Sequence, residues 1–277
     1  MPATKSFNLL VASKLILVAG GLCGCAIGSS PTASRASSSR RNPVSNLDQG
    51  VFADPTSGLA LPYRLHVPTS CSTAKPCGLL LVLHGAGERG TDNDAQLKND
   101  VLAWTDPAEQ AELPTVVVYP QCPPDMQWVD TPWSNGRYDI AQTPVSKPMA
   151  AVLALLAEIQ TEMAIDPKRI LVTGLSMGGY GAWDIVLRHP TLFAGAVPLC
   201  GGGDPSQAHL LAGLPIWAFH GGDDPAVPVR GSRLMIEALR RAGATPRYTE
   251  VAGWGHDIWV KAYRDREVVR WLLAQKR

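Results

Sequence analysis

The chain has no apolar stretch long enough to span a bilayer, no Cys/His grouping with zinc-ligand spacing, no internal repeat and no excess of one charge sign. Each absence excludes something. A spanning helix takes about 20 apolar residues, and the amino-terminal run Leu15-Ile16-Leu17-Val18-Ala19 is far shorter. Without paired Cys/His motifs, a zinc site is not expected. With residues 1–24 set aside, 23 basic residues face 24 acidic ones, which leaves no electrostatic footprint for nucleic acid. Gly201-Gly202-Gly203 is followed by no Lys-Ser/Thr pair, so it reads as a turn after a strand and not as a phosphate cradle. No motif implies a cofactor.

The amino terminus carries the pattern of an export signal: Lys5 and Lys14, no acidic residue through position 24, and the short apolar run. The segment Leu22-Cys23-Gly24-Cys25 resembles a bacterial lipobox with Cys25 as the lipidated residue, and ordinary signal cleavage is the alternative. Residues 25–46 are rich in Ser, Arg and Pro and poor in large apolar side chains. Such a segment cannot bury enough surface to offset its ordering entropy, and it is expected to be a disordered tether. Residues 47–277 then form one catalytic domain, exported and either anchored at the outer membrane or free in the periplasm or medium. Four cysteines remain in that domain, an even number in an exported chain. The favoured pairs are Cys71–Cys77, across a short Ser/Lys/Pro loop, and Cys122–Cys200, each after a strand. Free buried thiols are the alternative.

Short, nearly continuous apolar runs recur at Leu79–Leu83, Val116–Tyr119, Ile170–Thr173, Ala194–Pro198 and Ile216–Phe219. Strands buried on both faces of a parallel sheet read this way. Tyr63–Val67 alternates as a half-exposed antiparallel strand would. Helical spacing appears in Met149–Met163, Gly179–Leu187 and Leu234–Leu239, and Asp257–Leu273 is expected to be one closing helix. The alternation predicts an α/β fold with a mainly parallel sheet flanked by helices. Residues 120–146, rich in Pro, break the rhythm, and a loop of that length is usually functional.

The chemistry centres on Gly174-Leu175-Ser176-Met177-Gly178, which joins the Ile170 strand to a helix. A serine on such a turn stands exposed at the carboxyl edge of the sheet, and the flanking glycines let strand and helix approach. A helix amino terminus behind it favours a developing oxyanion. A serine hydroxyl needs a base. With chain order serine, acid, histidine, only His256 in Gly253-Trp254-Gly255-His256-Asp257 lies beyond every plausible acid. The acid should follow the Ile216 strand, where Asp223 and Asp224 compete.

Three segments together resemble one branch of the α/β-hydrolases: His84-Gly85-Ala86-Gly87-Glu88-Arg89-Gly90, Gly174 to Trp183, and His220-Gly221-Gly222-Asp223-Asp224 with Pro225-Ala226-Val227-Pro228. The branch is the predicted-peptidase or phospholipase/carboxylesterase type, related to polyhydroxybutyrate depolymerases and feruloyl esterases. The resemblance implies the α/β-hydrolase fold and carboxylic-ester hydrolysis through an acyl-enzyme. It places the acid at Asp224 and the oxyanion donors at the backbone N–H groups of Ala86 and Met177. The substrate expected is a small-molecule or polysaccharide-linked ester. Trp128 and Trp133, with Tyr138, are candidates for an aromatic platform, with packing of the loop as the equal alternative. Glu88 and Arg89 stand beside the oxyanion loop, to meet a polar leaving group or each other. Acyl transfer by the same triad, peptidase activity and a non-catalytic binding module are the competing functions.

Overall fold

Eight strands make one sheet: β1 (Asp48–Ala53), β2 (Ala60–His66), β3 (Cys77–Leu83), β4 (Thr115–Pro120), β5 (Ile165–Leu175), β6 (Gly195–Leu199), β7 (Trp217–Gly221) and β8 (Arg247–Val251). Their order is β1-β2-β4-β3-β5-β6-β7-β8. The structure is a computed structural model that describes residues 47–277. The export signal, the tether and the lipid site at Cys25 lie outside the described residues. β1 and β2 are antiparallel to each other, β2 is antiparallel to β4, and all other pairings are parallel.

The side-chain period of two explains why the central strands read as continuous apolar runs. The first helix, α1 (Pro107–Glu112), leads into β4. Leu79, Leu81, Leu83, Val116, Val118, Ile170 and Val172 face one core, where α2 (Lys147–Glu162), α3 (Met177–Arg188) and α4 (Arg230–Arg241) supply Leu155, Trp183 and Met235. The alternate residues Leu80, Val82, Val117 and Leu171 face a second core. That one is closed by Trp104, by Tyr263 of α5 (Trp259–Arg264) and by Leu272 of α6 (Arg266–Leu273). Both faces are therefore covered, and no helix among the described residues is long and apolar enough to cross a membrane.

Two expectations are corrected, and two strands had no counterpart in the sequence pattern. The closing helix is two helices, because the Asp265 carboxylate accepts from Glu267 N–H and caps α6, breaking the run at a residue in extended conformation. The outer strands β1 and β8 escape a reading based on apolar runs, since at the sheet edges they carry Asp48, Gln49, Arg247 and Glu250 and stay largely accessible. Cys71 and Cys77 form a disulfide, but Cys122 and Cys200 are free and buried. They follow β4 and β6, which β3 and β5 separate. Three strand spacings amount to about 14 Å, about twice what a disulfide bridges.

Candidate active site

All the parallel strands deliver their carboxyl ends to one edge, where clefts form in sheets of this kind. β5 ends at Leu175 and α3 starts at Met177, so Ser176 alone makes the turn, with φ 55° and ψ −116°. That conformation costs about 1–3 kcal/mol for a residue other than glycine, and the surroundings hold it. Ser176 N–H donates to Leu199 O at 3.0 Å, and Ser176 O accepts from Tyr180 N–H at 3.1 Å. A Cβ on Gly174 would overlap the Gly178 carbonyl, and one on Gly178 would overlap that of Leu83. The glycines of the motif are thus demanded by close approach of strand to helix.

The loop after β8 brings His256 to this serine. His256 Nε2 lies 2.8 Å from Ser176 Oγ, and its Nδ1 lies 2.7 Å from Asp224 Oδ2. Asp224 comes from the loop after β7, where its Oδ1 accepts from the N–H groups of Ala226 (2.8 Å) and Val227 (2.9 Å). Its Oδ2 also lies 3.3 Å from Nε2 of His220. Burial opposes the charge on Asp224, but the bonds from His220, His256 and Val227 N–H outweigh it and hold the carboxyl well below its ordinary range. The rival Asp223 stays exposed, and its N–H donates to Trp254 O at 3.0 Å, which helps to hold the His256 loop.

The loop after β3 makes the opposite wall. Ala86–Glu88 is a single 3₁₀ turn. Its carbonyls are taken from behind: Arg89 Nε donates to Ala86 O at 2.9 Å and Gln121 Nε2 to Glu88 O at 3.2 Å. Arg89 also donates to Met126 O at 3.4 Å, so it braces the loop where an ion pair with Glu88 was one expectation. Ala86 and Met177 each open a helical turn, and N–H groups in that position lack an intrahelical acceptor. His84 is buried beneath the turn. Its Nδ1 donates to Gly85 O at 2.6 Å, while its Nε2 accepts from Cys122 N–H at 2.9 Å. Burial, helped by nearby Arg89, pulls its pKa down to about 4 against the bond to Gly85, so the ring is neutral.

Between these walls lies a cleft of about 340 Å³ lined by Ser176, His256, Gly85 to Glu88, Asn99, Trp133 and Trp259, among others. Glu88 and Trp133 therefore stand where substrate contact is possible. Trp128 does not: it is 0% exposed, its Nε1 donates to His84 O at 3.0 Å, and its ring packs edge-on against His84. Tyr138 is also buried, and its hydroxyl donates to Asp184 at 2.8 Å. The expected platform of Trp128 and Tyr138 is instead the anchor of the long loop. Sequence reasoning missed Trp259, three residues past His256 and edge-on to its ring at 5.3 Å. It also missed Asn99, which with Asp100 adopts positive φ. Asn and Asp are the residues that tolerate this conformation, but nothing local placed that turn at the cleft.

Among the described residues, one group could hold a metal ion: Cys200, Asp224 and His256, with ligand atoms within 4.8 Å of one another. The Cys200 thiol is wholly buried and its pKa is pushed well up by burial, which keeps it protonated and a poor ligand.

A family model described as Phospholipase/Carboxylesterase matches residues 66–267. A thermostable esterase of known crystal structure is 38% identical, with a TM-score of 0.78, over 85% of this chain and 64% of that one. "Probable feruloyl esterase C" of Aspergillus terreus is 24% identical over 61% of this chain and 57% of its own length. Carboxylesterase SOBER1 of Arabidopsis thaliana is 26% identical over 65% of this chain and 83% of its own. The chain thus spans little more than half of the Aspergillus protein. A ferulic acid esterase structure at 18% identity and TM-score 0.62 shares the fold.

Proposed function

Because the chain belongs to the phospholipase/carboxylesterase family, an ester-hydrolysing family of the α/β-hydrolase fold, we propose that it cleaves carboxylic esters with Ser176 as nucleophile, His256 as general base and Asp224 as orienting acid. The observation that carries the reading is the hydrogen-bonded run from Ser176 Oγ through His256 to Asp224, at 2.8 and 2.7 Å, opening on the cleft. Ser176 Oγ attacks the ester carbonyl carbon while His256 Nε2 takes the hydroxyl proton. Asp224 keeps the proton on Nδ1 and stabilises the imidazolium without accepting a proton itself. The N–H groups of Ala86 and Met177 receive the oxyanion, and each such donor contributes about 3 kcal/mol to the transition state. Collapse returns the proton to the leaving alcohol. Water then repeats the sequence on the acyl-enzyme.

Trp133 and Trp259, with Glu88 and Asn99 in the same lining, give the cleft flat apolar surfaces and polar partners. Aromatic acyl groups and sugar rings both stack on such surfaces, which supports carbohydrate-linked or aromatic acyl esters as substrates. The names of the feruloyl-esterase relatives agree. An exported enzyme is supported by the signal pattern of residues 1–24 and by the Cys71–Cys77 disulfide, a bond that persists in oxidising compartments.

A fluorophosphonate probe tests the nucleophile. Wild type is expected to be labelled, and Ser176→Ala and His256→Ala are expected to lose labelling together with hydrolysis of p-nitrophenyl acetate. A folded wild type that neither labels nor turns over would sink the reading.

A further inference from the structure

His220 is the fourth residue of β7, four positions before Asp224, and its side chain is fully shielded from solvent. Its Nε2 lies 3.1 Å from Val227 O and 3.3 Å from Asp224 Oδ2. Both neighbours are acceptors, so this nitrogen carries the hydrogen. The other nitrogen, Nδ1, lies 2.7 Å from Ser232 Oγ near the start of α4, and the hydroxyl donates to it. The same hydroxyl is 3.4 Å from Gly201 O. The acceptors at Nε2 and the Ser232 hydroxyl at Nδ1 thus agree on one tautomer, with the N–H turned toward Val227 O and Asp224.

We propose that His220 is a positioning residue of the catalytic triad: its Nε2–H, bonded to Val227 O, also faces at 3.3 Å the carboxylate oxygen of Asp224 that serves His256, and so sets how strongly Asp224 draws the His256 proton. This rests on the triad reading above. A carboxylate has about four acceptor sites. The two backbone N–H groups occupy Oδ1, while Oδ2 bonds His256 at 2.7 Å and is faced by the His220 Nε2–H at 3.3 Å. A polar ring sealed in the interior is costly unless its bonds are used, and an apolar residue would fill the same space without that cost. Without the His220 donor, the negative charge on Oδ2 is shared with one partner fewer. The Asp224–His256 imidazolium pair is then stabilised relative to the neutral ring.

The titratable groups around the pair do not obscure this. Cys200 stays protonated through burial. Glu250 on β8, which faces His220, is held down at about 2, chiefly by its bond from Arg233. Burial pushes the Tyr180 phenol of α3 well up. Asp223 and Asp257, the chain neighbours of the pair, are common to every variant.

The test is the pH profile of kcat/KM for p-nitrophenyl acetate, from about pH 5 to about pH 9, in wild type, His220→Phe, His220→Gln and His220→Leu. In His220→Phe the acid limb is expected to move up by roughly half a pH unit or more, with kcat at neutral pH down about tenfold and KM little changed. His220→Gln, which restores an N–H donor at similar reach, should return the limb to the wild-type position. A folded His220→Phe protein with an unmoved limb overturns the proposal. Should that variant fail to fold, His220→Leu decides, because it also removes the Nε2–H facing Asp224, and an unmoved limb there also overturns the proposal. Ser176→Ala runs alongside. Full activity in that variant would defeat the triad reading itself, whereas a dead Ser176→Ala with an unmoved His220→Phe limb defeats only the role of His220.

Discussion

Asp224 illustrates how one atom decides a side chain's use. Its Oδ1 is committed to the N–H groups of Ala226 and Val227, so Asp224→Asn would keep its carbonyl oxygen there and turn its NH₂ toward His256 Nδ1. That nitrogen must then be an acceptor, which moves the imidazole proton to Nε2, where it faces Ser176 and cannot act as base. We expect kcat to fall about 10³–10⁴-fold with the fold intact, measured on p-nitrophenyl acetate beside a thermal melt. A loss below tenfold would contradict the tautomer argument. At this scale the serine turn and the histidine that meets it were legible, because a strained turn needs glycines at fixed offsets and chain order leaves one histidine, whereas the choice of Asp224 over Asp223 came only with the family resemblance. Trp128 and Trp133 were not separable. They lie five residues apart in the same loop, and one is buried against His84 while the other lines the cleft.

Elements are positioned by their ends. Ser146 caps α2 by accepting from Met149 N–H at 3.2 Å, and its hydroxyl donates to Trp128 O at 2.8 Å, so it joins the helix to the long loop. Ser146→Ala removes both bonds, and we expect a loss of about 1–2 kcal/mol, seen as a lower urea midpoint with an unchanged slope. A midpoint equal to wild type would show the cap to be idle. The long loop is tied down further along: Tyr180 Oη donates to Trp133 O at 2.7 Å, and Ile140 N–H donates to Asp204 at 3.0 Å. These anchors join residues about 40 to 65 positions apart. Its composition marked it as a loop, but the partners that make it rigid lie in other elements. The split at Asp265 shows the same limit, since the apolar period continues through a residue whose carboxylate competes for the backbone.

For the molecule as a whole, acid should be destabilising in two stages. His84 titrates near about 4 in the native state, and in the unfolded chain near its ordinary value of 6.5. The unfolded state therefore binds the proton first, and stability falls as pH drops from about 6.5 to about 4, by up to roughly 3 kcal/mol. Burial lowers His66 and His189 in the same sense. Below about 4, carboxyls held low in the native state, Asp224 and Glu250 among them, add to the loss as the unfolded chain protonates before they do. Urea titrations at pH 7 and at pH 4.5 measure the first stage, and equal stabilities at the two would contradict the neutral, buried state of His84.

Local patterns in the chain encode part of this molecule. Continuous apolar runs mark strands covered on both faces, glycines flank the serine turn, and the serine, acid and histidine follow in a workable order. The matched family and the observed sheet agree with the fold that the apolar runs imply. Only the tertiary structure decided which distant groups meet. His256 reaches Ser176 across 80 positions, His220 faces the Asp224 oxygen that serves it, Trp259 rather than Trp128 faces the cleft, and Cys122 and Cys200 stay apart. The physical reason is that strand order sets these distances, and strand order follows from how all the apolar faces pack together, which no short stretch of chain specifies.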